Sequence, residues 1–76
     1  DYKTDAALRQ ALKRETSDAT MLIVAQRIST ILHADKIMVL DSGTVVGCGT
    51  HKELMKTCEV YQQIARSQLS EEELKA

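Results

Sequence analysis

TMLIVAQRISTILHADKIMVLDSGTVVGCGTHKELM, residues 20–55, is the stretch that decides the fold class. Its opening run, TMLIVA at 20–25, is continuously apolar and contains β-branched residues, the pattern of a strand buried on both faces rather than one. Such strands belong to parallel sheets covered by helices, so TMLIVA predicts neighbouring strands that a 76-residue chain has little room to supply. QRIST at 26–30 follows as a polar loop. Ile28, Ile31 and Leu32 then fall at helical spacing, with Ser29 and Thr30 as candidate caps. IMVLDSGTVVGCG at 37–49 reads as two strands around Asp41-Ser42-Gly43, so that Ile37 to Leu40 pairs with Thr44 to Cys48. Gly47 and Gly49 are expected to loosen and end the second strand. Thr50 and Glu53 form a T-x-x-E capping box, a clear helix start for HKELMKT.

Outward from this stretch the chain is helical. Leu8, Ala11 and Leu12 mark a helix from Thr4, its expected cap, to Glu15, with Asp5 near the start and Lys13 and Arg14 near the end as the helix dipole favours. Ser17 and Asp18 supply the break. A last helix, Glu59 to Leu69, sets Tyr61, Ile64, Ala65 and Gln68 on one stripe, and the acidic residues 70–76 are expected to form a frayed, disordered tail. The order is helix, buried strand, short helix, hairpin, two helices, which is the closing half of an α/β domain.

Composition excludes several function classes. Ten basic against 11 acidic side chains leave a formal charge of −1, with no electrostatic footprint for nucleic acid or an anionic membrane surface. A chain of this size buries about 60% of the surface it exposes when unfolded. With Tyr2 and Tyr61 as its two aromatics, it lacks the large side chains that fill a small core. Two cysteines make one disulfide at most. No apolar run approaches the ~18 residues of a membrane span, and the amino end does not read as a signal peptide, so a soluble piece is expected. The Asp1 start and the absence of proline suggest a piece of something longer.

Candidate chemistry is sparse. Cys48-x-x-His51-x6-Cys58, with His33 elsewhere, is a weak zinc pattern, because His51 falls on the first turn of a capped helix; no metal site is expected, and both thiols read as reduced packing residues. No G-x-S-x-G elbow presents a serine, so no catalytic residue is assigned to the chain itself. Arg9, Lys13 and Arg14, like Lys52, Glu53 and Lys56, read as solvated helix faces. Gln26 and Arg27 stand apart, because they lie at the carboxyl end of the expected strand, where open α/β sheets bind ligands.

The run from Thr20 to Met55 resembles the carboxyl-terminal part of the ATP-binding domain of exporter-type ABC transporters. There the strand, an H-R-[LI]-S-T loop, an A-D-x-I-x-V-L-D-x-G hairpin and a G-T-H-x-E-L helix occur in this order. The resemblance covers Asp1 to about Leu69 and implies an α/β fold, the carboxyl-terminal portion of a P-loop NTPase (RecA-like) sheet with flanking helices, incomplete as a domain. It assigns Asp1 to the D-loop at the interface with a second ATP-binding domain. It also assigns Gln26 to the switch-loop position that meets the γ-phosphate, where the family has His. Gln keeps a neutral donor and a carbonyl but cannot titrate. That departure resembles the degenerate-site half of a heterodimeric exporter. The phosphate-binding loop, signature and Walker B motifs are missing from these 76 residues. ATP and Mg are therefore expected for a longer parent at the cytoplasmic face of the cell membrane, together with a transmembrane domain as partner, and no cofactor, nucleic acid or activity for the piece alone. For Arg27 a structural ion pair is as good a reading as a nucleotide contact; Ser29 and Thr30 read as caps, Asp35 and Asp41 as turn residues. The alternatives are a free-standing protein-interaction module or an inactive fragment.

Overall fold

The protein is described from a computed structural model covering residues 2–15 and 18–76. Asp1 and Ser17, to which the sequence assigns an interface and a helix break, lie outside the described residues. Seven elements follow in order: α1 (Tyr2–Glu15), α2 (Ile28–Ile31), β1 (Ile37–Asp41), β2 (Thr44–Gly49), α3 (His51–Thr57), α4 (Glu59–Gln68) and α5 (Glu71–Leu74). Helix α1 starts two residues ahead of the expected Thr4, which therefore lies within its first turn rather than at its cap.

The hairpin forms where the turn chemistry directs it. Ser42 (φ 51°) and Gly43 (φ 79°) both adopt positive φ, the two-residue turn whose twist suits antiparallel strands. Only Gly takes that conformation without strain, and Ser42 also donates from its hydroxyl to Asp41 Oδ1 at 3.3 Å. β1 and β2 pair antiparallel from Asp41↔Thr44 to Ile37↔Gly49, and the register skips Val46 between Leu40↔Val45 and Val39↔Gly47. This bulge turns the Val46 carbonyl out of the ladder, where it accepts from the Cys58 thiol at 3.8 Å.

One face of β1 joins the core through Ile37 and Val39, packed with Ile28, Leu54, Cys58, Tyr61, Ala65 and Leu69. Gly47 is not a loosened strand end: a Cβ there would lie 2.7 Å from Cys58 Sγ and 3.1 Å from Leu54 Cδ2, so its missing side chain lets β2 close against the α3–α4 junction. Helix α3 begins with the expected capping box, Glu53 N–H donating to Thr50 Oγ1 at 3.1 Å and Thr50 N–H to Glu53 Oε1 at 2.9 Å. The Thr50 backbone N–H first, and the Thr50 hydroxyl after it, hold the Glu53 carboxyl below its ordinary value. At the other end of α3, Gln62 donates to the Met55 carbonyl at 2.8 Å, satisfying one of the groups a helix terminus leaves open.

Two expectations are corrected. TMLIVA is not a buried strand: residues 20–25 form no regular element, Leu22 and Val24 are 91% and 96% exposed, and the sheet among the described residues has two antiparallel strands, not a parallel core. A two-faced strand needs hydrogen-bonding neighbours on both edges, and the hairpin offers it neither. Residues 70–76 do not simply fray. Ser70 and Glu73 build a second capping box at the start of α5, with reciprocal bonds of 3.0 and 3.2 Å. The S-x-x-E spacing that signals it is the same as the T-x-x-E at Thr50, here set among acidic residues.

Candidate functional site

The chain leaves TMLIVA through Ala25 and turns at Gln26 and Arg27 into α2. Both side chains are exposed and, with Ser29, Gln68 and Glu73, line an open groove of about 590 Å³. Arg27 is the N-cap of α2, in extended conformation, and its side chain makes no cap bond. Ser29 and Thr30, expected as caps, lie within the helix instead, and Thr30 N–H bonds to the Arg27 carbonyl at 3.1 Å.

The N–H of Ile28 at the start of α2 is satisfied from elsewhere: it donates to Gln68 Oε1 at 2.9 Å, across 40 residues. That bond fixes the Gln68 amide with its nitrogen toward the Gln26 carbonyl, a weak contact at 3.5 Å. Glu73 Oε1 is engaged by the Ser70 N–H. Among the described residues no carboxylate pairs with Arg27. Asp41 ends β1 beside the turn as expected, and Asp35 sits at a bend.

The Cys48–His51–Cys58 set is drawn apart by packing. Cys48 is exposed and Cys58 is buried in the core. His51 is buried with both ring nitrogens occupied. Its Nε2 faces the Leu74 carbonyl at 3.1 Å, so in the neutral ring Nε2 donates and Nδ1 accepts from the Tyr61 hydroxyl at 2.6 Å. Burial raises the Tyr61 phenol above its ordinary value, in keeping with its role as a neutral donor. His51 is thus a structural link between α3, α4 and α5. Its role was hidden in the sequence because Tyr61 and Leu74 lie 10 and 23 residues away. Among the described residues no group of three His, Cys, Asp or Glu side chains could hold a metal ion.

A neutral amide beside a guanidinium at the rim of an open groove can donate to an anion without competing for a proton. No family model matches the chain. Its sequence is nevertheless 43% identical over 68 residues, 90% of the chain, to an uncharacterized ABC transporter ATP-binding protein of Mycobacterium tuberculosis. Its homologues are ABC transporter ATP-binding proteins. Two more match at 42% over 64 residues, 84% of the chain: a mycobactin import ATP-binding/permease protein of Mycolicibacterium smegmatis and a candidate multidrug export ATP-binding/permease protein of Staphylococcus aureus. The chain spans 12%, 7% and 11% of the lengths of these three relatives. No helix among the described residues is long and apolar enough to cross a membrane.

Proposed function

We propose that the chain is the carboxyl-terminal portion of the ATP-binding domain of an exporter-type ABC transporter, and that Gln26 contacts the γ-phosphate of ATP from the switch loop. The observation that carries this reading is the placement of Gln26: exposed at the rim of an open polar groove, beside Arg27, on a backbone held two residues further on where the Ile28 N–H donates to Gln68. The similarity over 90% of the chain to ATP-binding transporter proteins supports it. The exposed Leu22 and Val24 support it as well, because a run of that composition is what a central strand presents when its neighbours belong to another segment.

The residues present fit one end of a phosphate chain and no more. Gln26 supplies a neutral N–H donor and Arg27 a fixed positive charge, but the sequence has no glycine-rich loop to cradle the α- and β-phosphates. Nor do the described residues include a carboxylate cluster for Mg. In the parent those groups would come from the rest of the domain. ATP would supply the energy of the transport cycle, and Asp1 would lie at the interface with a second ATP-binding domain. A transmembrane domain would place the assembly at the cytoplasmic face of the cell membrane.

Within that reading, the site holding Gln26 is the degenerate one of a heterodimer. Phosphoryl transfer rests on positioning and electrostatics, and a side chain that cannot titrate or carry charge positions attacking water less well than histidine. The test is site-resolved ATPase turnover of the full-length transporter with Gln26→His. Turnover at that site should rise at least tenfold with little change in nucleotide affinity. A wild-type Gln26 site that already turns over as fast as its partner would refute the degenerate assignment.

A further inference from the structure

Helix α2 takes the partner of its Ile28 N–H from a distant element. Its N-cap, Arg27, makes no side-chain cap bond, and a four-residue helix has no length over which to average out a poor start. The Ile28 N–H is satisfied by the side chain of Gln68, the last residue of α4, at 2.9 Å. One amide therefore reaches the backbone on both sides of Arg27: oxygen to the Ile28 N–H, nitrogen toward the Gln26 carbonyl at 3.5 Å. The reach is fixed at its base. Helix α4 is held in the core through Tyr61 and Ala65, 2% and 0% exposed, and its C-cap residue Leu69 is buried beyond Gln68. Gln68 is itself exposed and lines the same groove as Gln26. The Gln68 side chain thus sits at the solvent edge with its amide turned to the loop backbone.

We infer that Gln68 is the positioning residue of the switch loop, setting the backbone at Gln26 and Ile28 so that the Gln26 side chain meets the terminal phosphate. The inference rests on the γ-phosphate role proposed for Gln26. Gln68 touches no substrate; it acts through the loop. Loss of the amide frees the start of α2 and lets Gln26 sample orientations in which its donor misses the phosphate, without altering contacts to the rest of a nucleotide. The signature is therefore a change in discrimination between ATP and ADP rather than in affinity for both.

The experiment is a double-mutant cycle in the full-length transporter, with Gln68→Leu and Gln26→Ala, alone and together. Affinities for ATP and ADP at that site are read by competition against a photo-crosslinking azido-nucleotide. Gln68→Leu should lower the ATP-over-ADP preference about fivefold, the worth of one hydrogen bond, and should have no further effect once Gln26 is alanine. Gln68→Glu keeps an acceptor for the Ile28 N–H and so preserves the start of α2, while setting a carboxylate oxygen against the Gln26 carbonyl. It should shift the preference in the same direction, which separates positioning from misfolding. Equal losses for ATP and ADP, or an unchanged effect of Gln68→Leu in the Gln26→Ala background, overturn the positioning role. An ATP-over-ADP preference unmoved by Gln26→Ala itself overturns the γ-phosphate reading beneath it.

Discussion

Ile28, Ile37, Val39, Leu54, Tyr61, Ala65 and Leu69 bury their side chains against one another, whereas Leu22 and Val24 in the apolar run at 20–25 leave theirs in solvent. Leu54, Tyr61 and Ala65 are almost wholly covered, while Leu22 and Val24 are almost wholly bare. The difference is not hydrophobicity. Helices α3 and α4 present apolar stripes that a neighbouring element can cover from one side, and β1 needs only its Ile37 and Val39 face covered. A strand apolar on both faces needs covering layers above and below and paired backbones on each edge, which the hairpin and four short helices do not furnish. The outer hairpin face makes the same point on a smaller scale: Met38, Leu40, Val45 and Val46 are apolar and exposed.

The sharpest way to break this comparison is to truncate one leucine in each region. Leu54→Ala, at a fully covered site, should cost about 2–5 kcal/mol in urea unfolding of the 76-residue chain. Leu22→Ala should stay within about 0.5 kcal/mol. Equal costs would mean that residues 20–25 are packed in solution. Next in size is Gly47→Ala, whose new methyl would press on Cys58 Sγ and should cost about 1–3 kcal/mol. Adding Cys58→Ala should recover part of that loss, a coupling that a merely flexible strand end would not show.

Smaller again, Thr50→Ala should cost about 1 kcal/mol by removing half of the capping box. Because the Glu53 carboxyl is held below its ordinary value when folded, its contribution is complete above the usual glutamate range and is lost as pH falls through the lowered value. Comparing urea unfolding of wild type and Thr50→Ala across that range should show the wild type losing more stability on acidification. The smallest effect on stability is expected for Leu22→Ser with Val24→Ser, within about 0.5 kcal/mol. The same pair should lower self-association measured by sedimentation velocity, because it breaks an exposed apolar run. Undiminished association would move the sticky surface to Met38 and Leu40.

Much of the carboxyl-terminal half was legible from neighbours in sequence. Asp41-Ser42-Gly43 specified the turn, Thr50 and Glu53 the start of α3, and Tyr61 with Ala65 the buried stripe of α4. The sequence offered the candidate site as a position, Gln26 at the end of an apolar run, and the structure places it exposed on an open groove. What holds that position was not legible. Gln68 lies 40 residues from the N–H it satisfies, and its place on the α4 stripe suggested packing rather than a tie to the loop. His51 carried a similar ambiguity between ligand and link until Tyr61 and Leu74 were seen to occupy both of its nitrogens.

The sequence by itself therefore determined the turn, the helix starts, the apolar stripes and the likeness to ABC transporter ATP-binding proteins, because each depends on residues within a few positions of one another or on a motif order. Only the tertiary structure decided that Gly47 is a point of close approach, that His51 is a buried link and that α2 is capped from α4. It also left the two-faced run at 20–25 uncovered. These outcomes depend on which distant groups meet in space, and local propensity does not encode that meeting.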